Sequence, residues 1–107
     1  MRMNLEQTAL CLSELGNETR LRIFRYLVKH GNEEIIVGDL QKEFDIPNST
    51  LSHHISRLVK VGLVNQKRQG RLLICTAELN QLEQVVQVLL DECCGGIPCI
   101  QSTKSCC

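Results

Sequence analysis

The chain has 107 residues, 43% of them apolar, with no Trp, one Tyr and two Phe, which suits one aliphatic, mostly helical core and is too short for two. Twelve basic residues balance twelve acidic ones, so net charge alone argues against a nucleic-acid partner. No apolar run approaches the roughly eighteen residues of a membrane span.

The opening "MRMNLEQTALCLSELGNE" carries Glu6 and Glu14 and lacks an apolar signal core. A cytoplasmic protein with reduced thiols is therefore expected. Within it, Leu5, Ala9, Leu12 and Leu15 recur near helical spacing. Gly16 breaks this helix and Asn17 can cap the next, "ETRLRIFRYLVKH". That second helix places Leu21, Phe24, Leu27 and Val28 on one face and ends at His30-Gly31. "NEEII" is short and extended in character. "VGDLQKEFDI" follows as a short helix burying Val37, Leu40 and Phe44, and Pro47 stops it.

The next helix, "NSTLSHHISRLVKVG", is expected to be capped by Asn48 or Ser49 and ended by Gly62. On a helical wheel Leu51, Ile55 and Leu58 share one side, while Ser49, Ser52, His53, Ser56 and Lys60 fall opposite. That outer face has hydrogen-bonding groups and cations but no carboxylate, whereas solvated faces usually mix Glu and Lys. His54 lies beside Ile55 and Leu58, which favours a packing role. "LVNQKRQGRLLICT" reads as two strands turning at Gln69-Gly70, with Lys67, Arg68 and Arg71 around the tip. The last helix, "AELNQLEQVVQVLLDEC", repeats Leu79, Leu82, Val86 and Leu89.

The charges are unevenly placed. No acid occurs between Asp45 and Glu78, yet Arg57, Lys60, Lys67, Arg68 and Arg71 do. A neutral protein with one basic face can bind phosphate. The order α-α-α-α-β-β-α predicts a mainly α winged helix-turn-helix whose fourth helix enters the major groove of double-stranded operator DNA. Ser49, Ser52 and His53 are candidates at the base edges, with Asn48 beside them among the DNA-binding residues. Arg57, Lys60, Lys67, Arg68 and Arg71 are candidates at phosphates. The first and last helices carry apolar stripes suited to a homodimer seam. No cleft-forming motif or acid–base set points to an enzyme.

"NETRLRIFRYLVKHG" and "VGDLQKEFDIPNSTLSHHISRLVKVGLVNQKRQGR", with the apolar last helix, resemble the ArsR/SmtB family of bacterial metal-responsive repressors over Leu5 to Glu92. The resemblance implies a dimeric repressor that leaves its operator when a metal or metalloid binds. It also exposes a departure. Arsenic sensors of the family often carry cysteines in a stretch like "LCVCDLC", where this chain has "IIVGDLQ". The paired His and Asp ligands of the zinc sensors are missing from the last helix too, which contains no His.

A sensing site must then lie elsewhere, and the segment "CCGGIPCIQSTKSCC" holds five of the seven cysteines. We read 1–92 as the DNA-binding and dimerisation domain and 93–107 as a cysteine-rich metalloid-binding tail. As(III) or Sb(III) favours three soft thiolates, and Cys93, Cys94 and Cys99 supply them. Gly95-Gly96 allows the chain to unwind and Pro98 helps fix its return. Cys106 and Cys107 form a second pair that could add ligands. Cadmium, lead or zinc sensing, or a thiol redox switch, are the alternatives for this tail. An odd cysteine count weighs against a disulfide framework. Cys11 and Cys75 read as small buried hydrophobes.

Overall fold

The computed structural model describes residues 3–31 and 33–91. The first helix, α1 (Leu5–Leu15), starts from a capping box in which the Asn4 side chain accepts from the Gln7 N–H at 2.7 Å. Asn17 caps α2 (Glu18–His30), accepting from the Arg20 N–H at 3.0 Å. Each satisfies a backbone donor that a helix start leaves open.

A short strand, β1 (Ile35–Ile36), leads directly into α3 (Val37–Phe44). Asp45 then turns the chain at φ 50°, a left-handed conformation that a short polar side chain tolerates. Helix α4 (Asn48–Lys60) begins immediately after Pro47. The expected Asn48 or Ser49 cap is absent: Pro47 itself occupies the cap position, without a side-chain hydrogen bond. The ring holds φ near −59°, so the chain enters the helix without a polar cap.

The wing comprises β2 (Val64–Gln69) and β3 (Leu72–Ala77), and the chain continues into α5 (Leu79–Leu89). Gln69 pairs with Leu72, so the turn residues are Gly70-Arg71, one position later than expected. Gly70 supplies the positive φ that a two-residue hairpin needs. The fold adds a third strand to the predicted order. Ile35 pairs with Cys75 and Ile36 with Ile74, giving an antiparallel sheet ordered β1-β3-β2.

The core gathers Ile23 and Leu27 of α2, Leu40 of α3, and Leu51, Ile55 and Leu58 of α4, all fully buried. Two faces differ from the sequence reading. Helix α1 buries Thr8, Cys11 and Glu14 and turns Leu5 and Leu12 outward. Helix α2 buries Arg20 and Ile23 with Phe24 and Leu27, leaving Leu21 exposed. Both helices give inward positions to charged groups, which apolar spacing alone does not reveal. Among the described residues no helix is long and apolar enough to cross a membrane.

Candidate nucleic-acid interface

Helix α4 has two sharply different sides. Leu51, His54, Ile55 and Leu58 point inward, while Asn48, Ser49, Ser52, His53, Ser56, Arg57 and Lys60 are exposed. The inward stripe fixes the rotation of the helix, because shifting it would withdraw three fully buried side chains from the core. The outer face is thereby held outward as one surface. Its hydroxyl, amide and imidazole groups can donate to and accept from base edges.

The wing follows α4 closely and packs against it through β2. Gly62 makes the connection at φ 82°, where an added Cβ would meet the Gln81 amide at 3.0 Å. That amide donates to the Val61 carbonyl at 2.9 Å, clipping α5 to the end of α4. Lys67, Arg68 and Arg71 are all exposed on the hairpin.

Two of the expected phosphate contacts have partners that local sequence does not show. Lys67 lies 2.9 Å from Glu34, which β1 brings beside the wing. Both groups are about half exposed, so this pair is weak and can yield to a phosphate. Arg57 Nε donates to Glu14 Oε1 at 2.9 Å. Its other guanidinium nitrogens remain for a phosphate. Glu14 raises the Arg57 pKa through this hydrogen bond, so its positive charge is secure.

Behind α4 lies a buried polar cluster. Arg20 Nη1 donates to Glu14 Oε1 at 2.8 Å and to the Glu14 carbonyl at 3.0 Å. Its Nε donates to His54 Nδ1 at 3.3 Å. A guanidinium cannot accept, so the imidazole is neutral with its proton on Nε2. Burial, followed by the charges of Arg20 and His53, pushes the His54 pKa down. The hydrogen bond from Arg57, aided by Arg57, Arg20 and Lys60 charge, lowers that of Glu14 despite its burial. The packing role expected for His54 is present, but its partner Arg20 and the hub Glu14 were missed. Their signal was a charged residue at apolar period: Arg20 three residues before Ile23, and Glu14 three after Cys11.

The described thiols are buried. Cys11 Sγ lies 3.5 Å from the Val61 carbonyl, and burial raises its pKa. Burial pushes the Cys75 thiol up to about 11. Both stay protonated near neutral pH and are poor nucleophiles or soft-metal ligands. Cys93, Cys94, Cys99, Cys106 and Cys107 lie outside the described residues.

A helix-turn-helix domain model matches residues 15–67. The chain is 27% identical to the transcriptional activator HlyU of Vibrio cholerae over 89 residues, 83% of this chain and 80% of that protein. It is 39% identical over 67 residues to a Halobacterium salinarum protein named as an arsenical resistance operon repressor, ArsR, covering 63% of this chain and 51% of that protein. An uncharacterized HTH-type transcriptional regulator of Methanocaldococcus jannaschii is 33% identical over 67 residues, 61% of this chain and 71% of that one.

Among solved structures, an ArsR family transcriptional regulator superposes with TM-score 0.73 at 25% identity, over 86% of this chain and 92% of that one. A homodimeric winged helix-turn-helix DNA-binding domain from Mycobacterium bovis gives 0.66 at 26% identity, over 82% of each. Sequence and fold agree with the polar, acid-free outer face of α4: this chain belongs to the ArsR/SmtB family of winged helix-turn-helix transcriptional regulators.

Proposed function

We propose that the protein is a homodimeric repressor that leaves its operator when trivalent arsenic or antimony binds its C-terminal thiols. The observation that carries the DNA-binding half is the outer face of α4, exposed and without a carboxylate, followed by a cationic wing. Asn48, Ser49, Ser52 and His53 read base edges, while Arg57, Lys60, Lys67, Arg68 and Arg71 engage phosphates. A dimer is supported by the exposed Leu5, Leu12, Leu79 and Leu89 on α1 and α5. It is also supported by the homodimeric state of the M. bovis relative.

Support for the inducer is chemical. Among the described residues no group of three or more His, Cys, Asp or Glu side chains can hold a metal ion. Cys11 and Cys75 are buried with raised pKa values. Thiolate chemistry therefore falls to Cys93, Cys94 and Cys99, with Cys106 and Cys107 as further donors. The haloarchaeal relative's name adds arsenic to that chemistry. A coupling of about 1–3 kcal/mol between inducer and DNA would weaken operator binding by roughly five- to 150-fold.

Fluorescence anisotropy on the gene's own upstream DNA under reducing conditions tests this reading. Arsenite, antimonite, cadmium and zinc are titrated against wild type and a C93S/C94S/C99S variant. Release by arsenite in wild type alone is expected. Tight DNA binding that arsenite leaves untouched would discard the metalloid and move the tail to cadmium, zinc or redox sensing. The same assay with peroxide and no metal identifies a redox switch.

A further inference from the structure

The polar cluster behind the reading helix joins three helices that are distant in sequence. Glu14 comes from α1, Arg20 from α2, and His54 and Arg57 from α4. Its members face opposite sides of one helix. His54 is on the buried side of α4, and Arg57 is on the exposed side among the DNA-facing groups. Glu14 Oε1 receives both Arg20 at 2.8 Å and Arg57 at 2.9 Å. A single carboxylate oxygen thus ties the depth of α4, through Arg20 and His54, to the direction of a surface guanidinium.

We propose that Glu14, Arg20 and His54 are positioning residues for DNA binding, forming a clasp that holds α4 and Arg57 in their DNA-reading pose only while His54 is neutral. This rests on the DNA-binding reading above. In the clasp His54 Nδ1 is an acceptor facing a permanent N–H donor. Protonation places an N–H on Nδ1, and two donors then oppose each other in a site with little access to water. The hydrogen bond breaks, Arg20 shifts, and Glu14 loses one of its two anchors. Arg57, held by the same oxygen, loses its fixed direction.

Arg20 of α2 and His53 of α4 both oppose protonation of His54, and the clasp's own carboxylate is Glu14 of α1. Glu14 is already engaged by two guanidiniums, so it is poorly placed to stabilise a histidinium. Acid therefore acts on the clasp at His54, the buried member of the adjacent pair.

The test is operator affinity by fluorescence anisotropy at about pH 7.5 and about pH 5.5, with thermal unfolding recorded under both conditions. Wild type is compared with His54→Asn, whose amide oxygen replaces Nδ1 as an acceptor that does not titrate, and with Glu14→Gln. Wild type is expected to lose about tenfold in affinity on acidification. H54N should lose little while binding nearly as well as wild type at the higher pH. E14Q should be weakened several-fold at both pH values while still folded.

An H54N profile as steep as wild type, or full-strength binding by folded E14Q, would overturn the clasp and leave the DNA-binding reading standing. If H54N fails to fold, the imidazole resonance of His54 decides. In wild type it must titrate with the same midpoint as the loss of DNA binding, and a different midpoint refutes the clasp. Absence of operator binding by wild type at either pH would remove the functional reading, and the clasp's role with it.

Discussion

Helices α4 and α5 are both strongly amphipathic, yet the chain treats their apolar faces differently. Helix α4 buries Leu51, Ile55 and Leu58 completely, with His54 beside them. Among the residues of α5 only Val85 is buried, while Leu79 and Leu89 are 42% and 59% exposed. The first helix is satisfied within one chain and so can present a fixed polar surface to a ligand. The second leaves apolar surface exposed, the face that the proposed homodimer would cover.

The comparison breaks most visibly in the core. Leu58→Ala removes a side chain with no exposure, and about 4 kcal/mol of stability should be lost. Urea unfolding measures this directly. Arg20→Ala comes next, since it leaves the buried Glu14 carboxylate with Arg57 alone and the His54 acceptor without its donor. A loss of about 3 kcal/mol is expected in the same experiment. A near-neutral result would mean that the clasp relaxes onto water at little cost.

On α5 the outcome should be different in kind. The L79D/L89D variant should keep its circular dichroism spectrum but sediment as a monomer, and its unfolding midpoint should lose its dependence on protein concentration. Unfolding of the chain would instead show that these leucines serve the monomer core. A smaller effect separates the two halves of the interface with DNA. Alanine at Lys67, Arg68 or Arg71 should weaken binding to all sequences and lower the salt slope by about one per contact.

The smallest effect is on stability against pH. The His54 pKa is lowered in the folded protein from its ordinary value of 6.5, so the unfolded chain takes up its proton first. This contribution to stability is complete above that value and is lost as pH falls toward the lowered folded value. The Glu14 pKa is also lowered, from 4.5, and its contribution is lost further into acid. H54N should remove the first decline and leave the second.

The polar outer face of α4 was legible in sequence because it depends on local composition. Ser49, Ser52, His53 and Lys60 stand opposite Leu51, Ile55 and Leu58 on any helical wheel, and no acid interrupts them. The clasp was illegible for the opposite reason. Arg57 and Glu14 are 43 positions apart, and Arg20 and His54 are 34 apart. Periodicity treats Arg20 as simply polar, although packing places it inside. The two-residue strand β1 is likewise too short to carry a pattern, yet it brings Glu34 to Lys67. The exposed stripe of α5 was visible as a repeat of leucines. What covers it is not encoded within one chain's periodicity.

The most direct measurement compares the affinity of wild type and an S52A/H53A variant for the upstream duplex and for a scrambled duplex of equal length, at fixed salt. Wild type should prefer the upstream duplex, and the variant should lose about 1–3 kcal/mol of that preference while binding the scrambled duplex as wild type does. Equal discrimination by the two proteins, or no binding by either, would contradict the assignment of the α4 outer face as the surface that reads DNA.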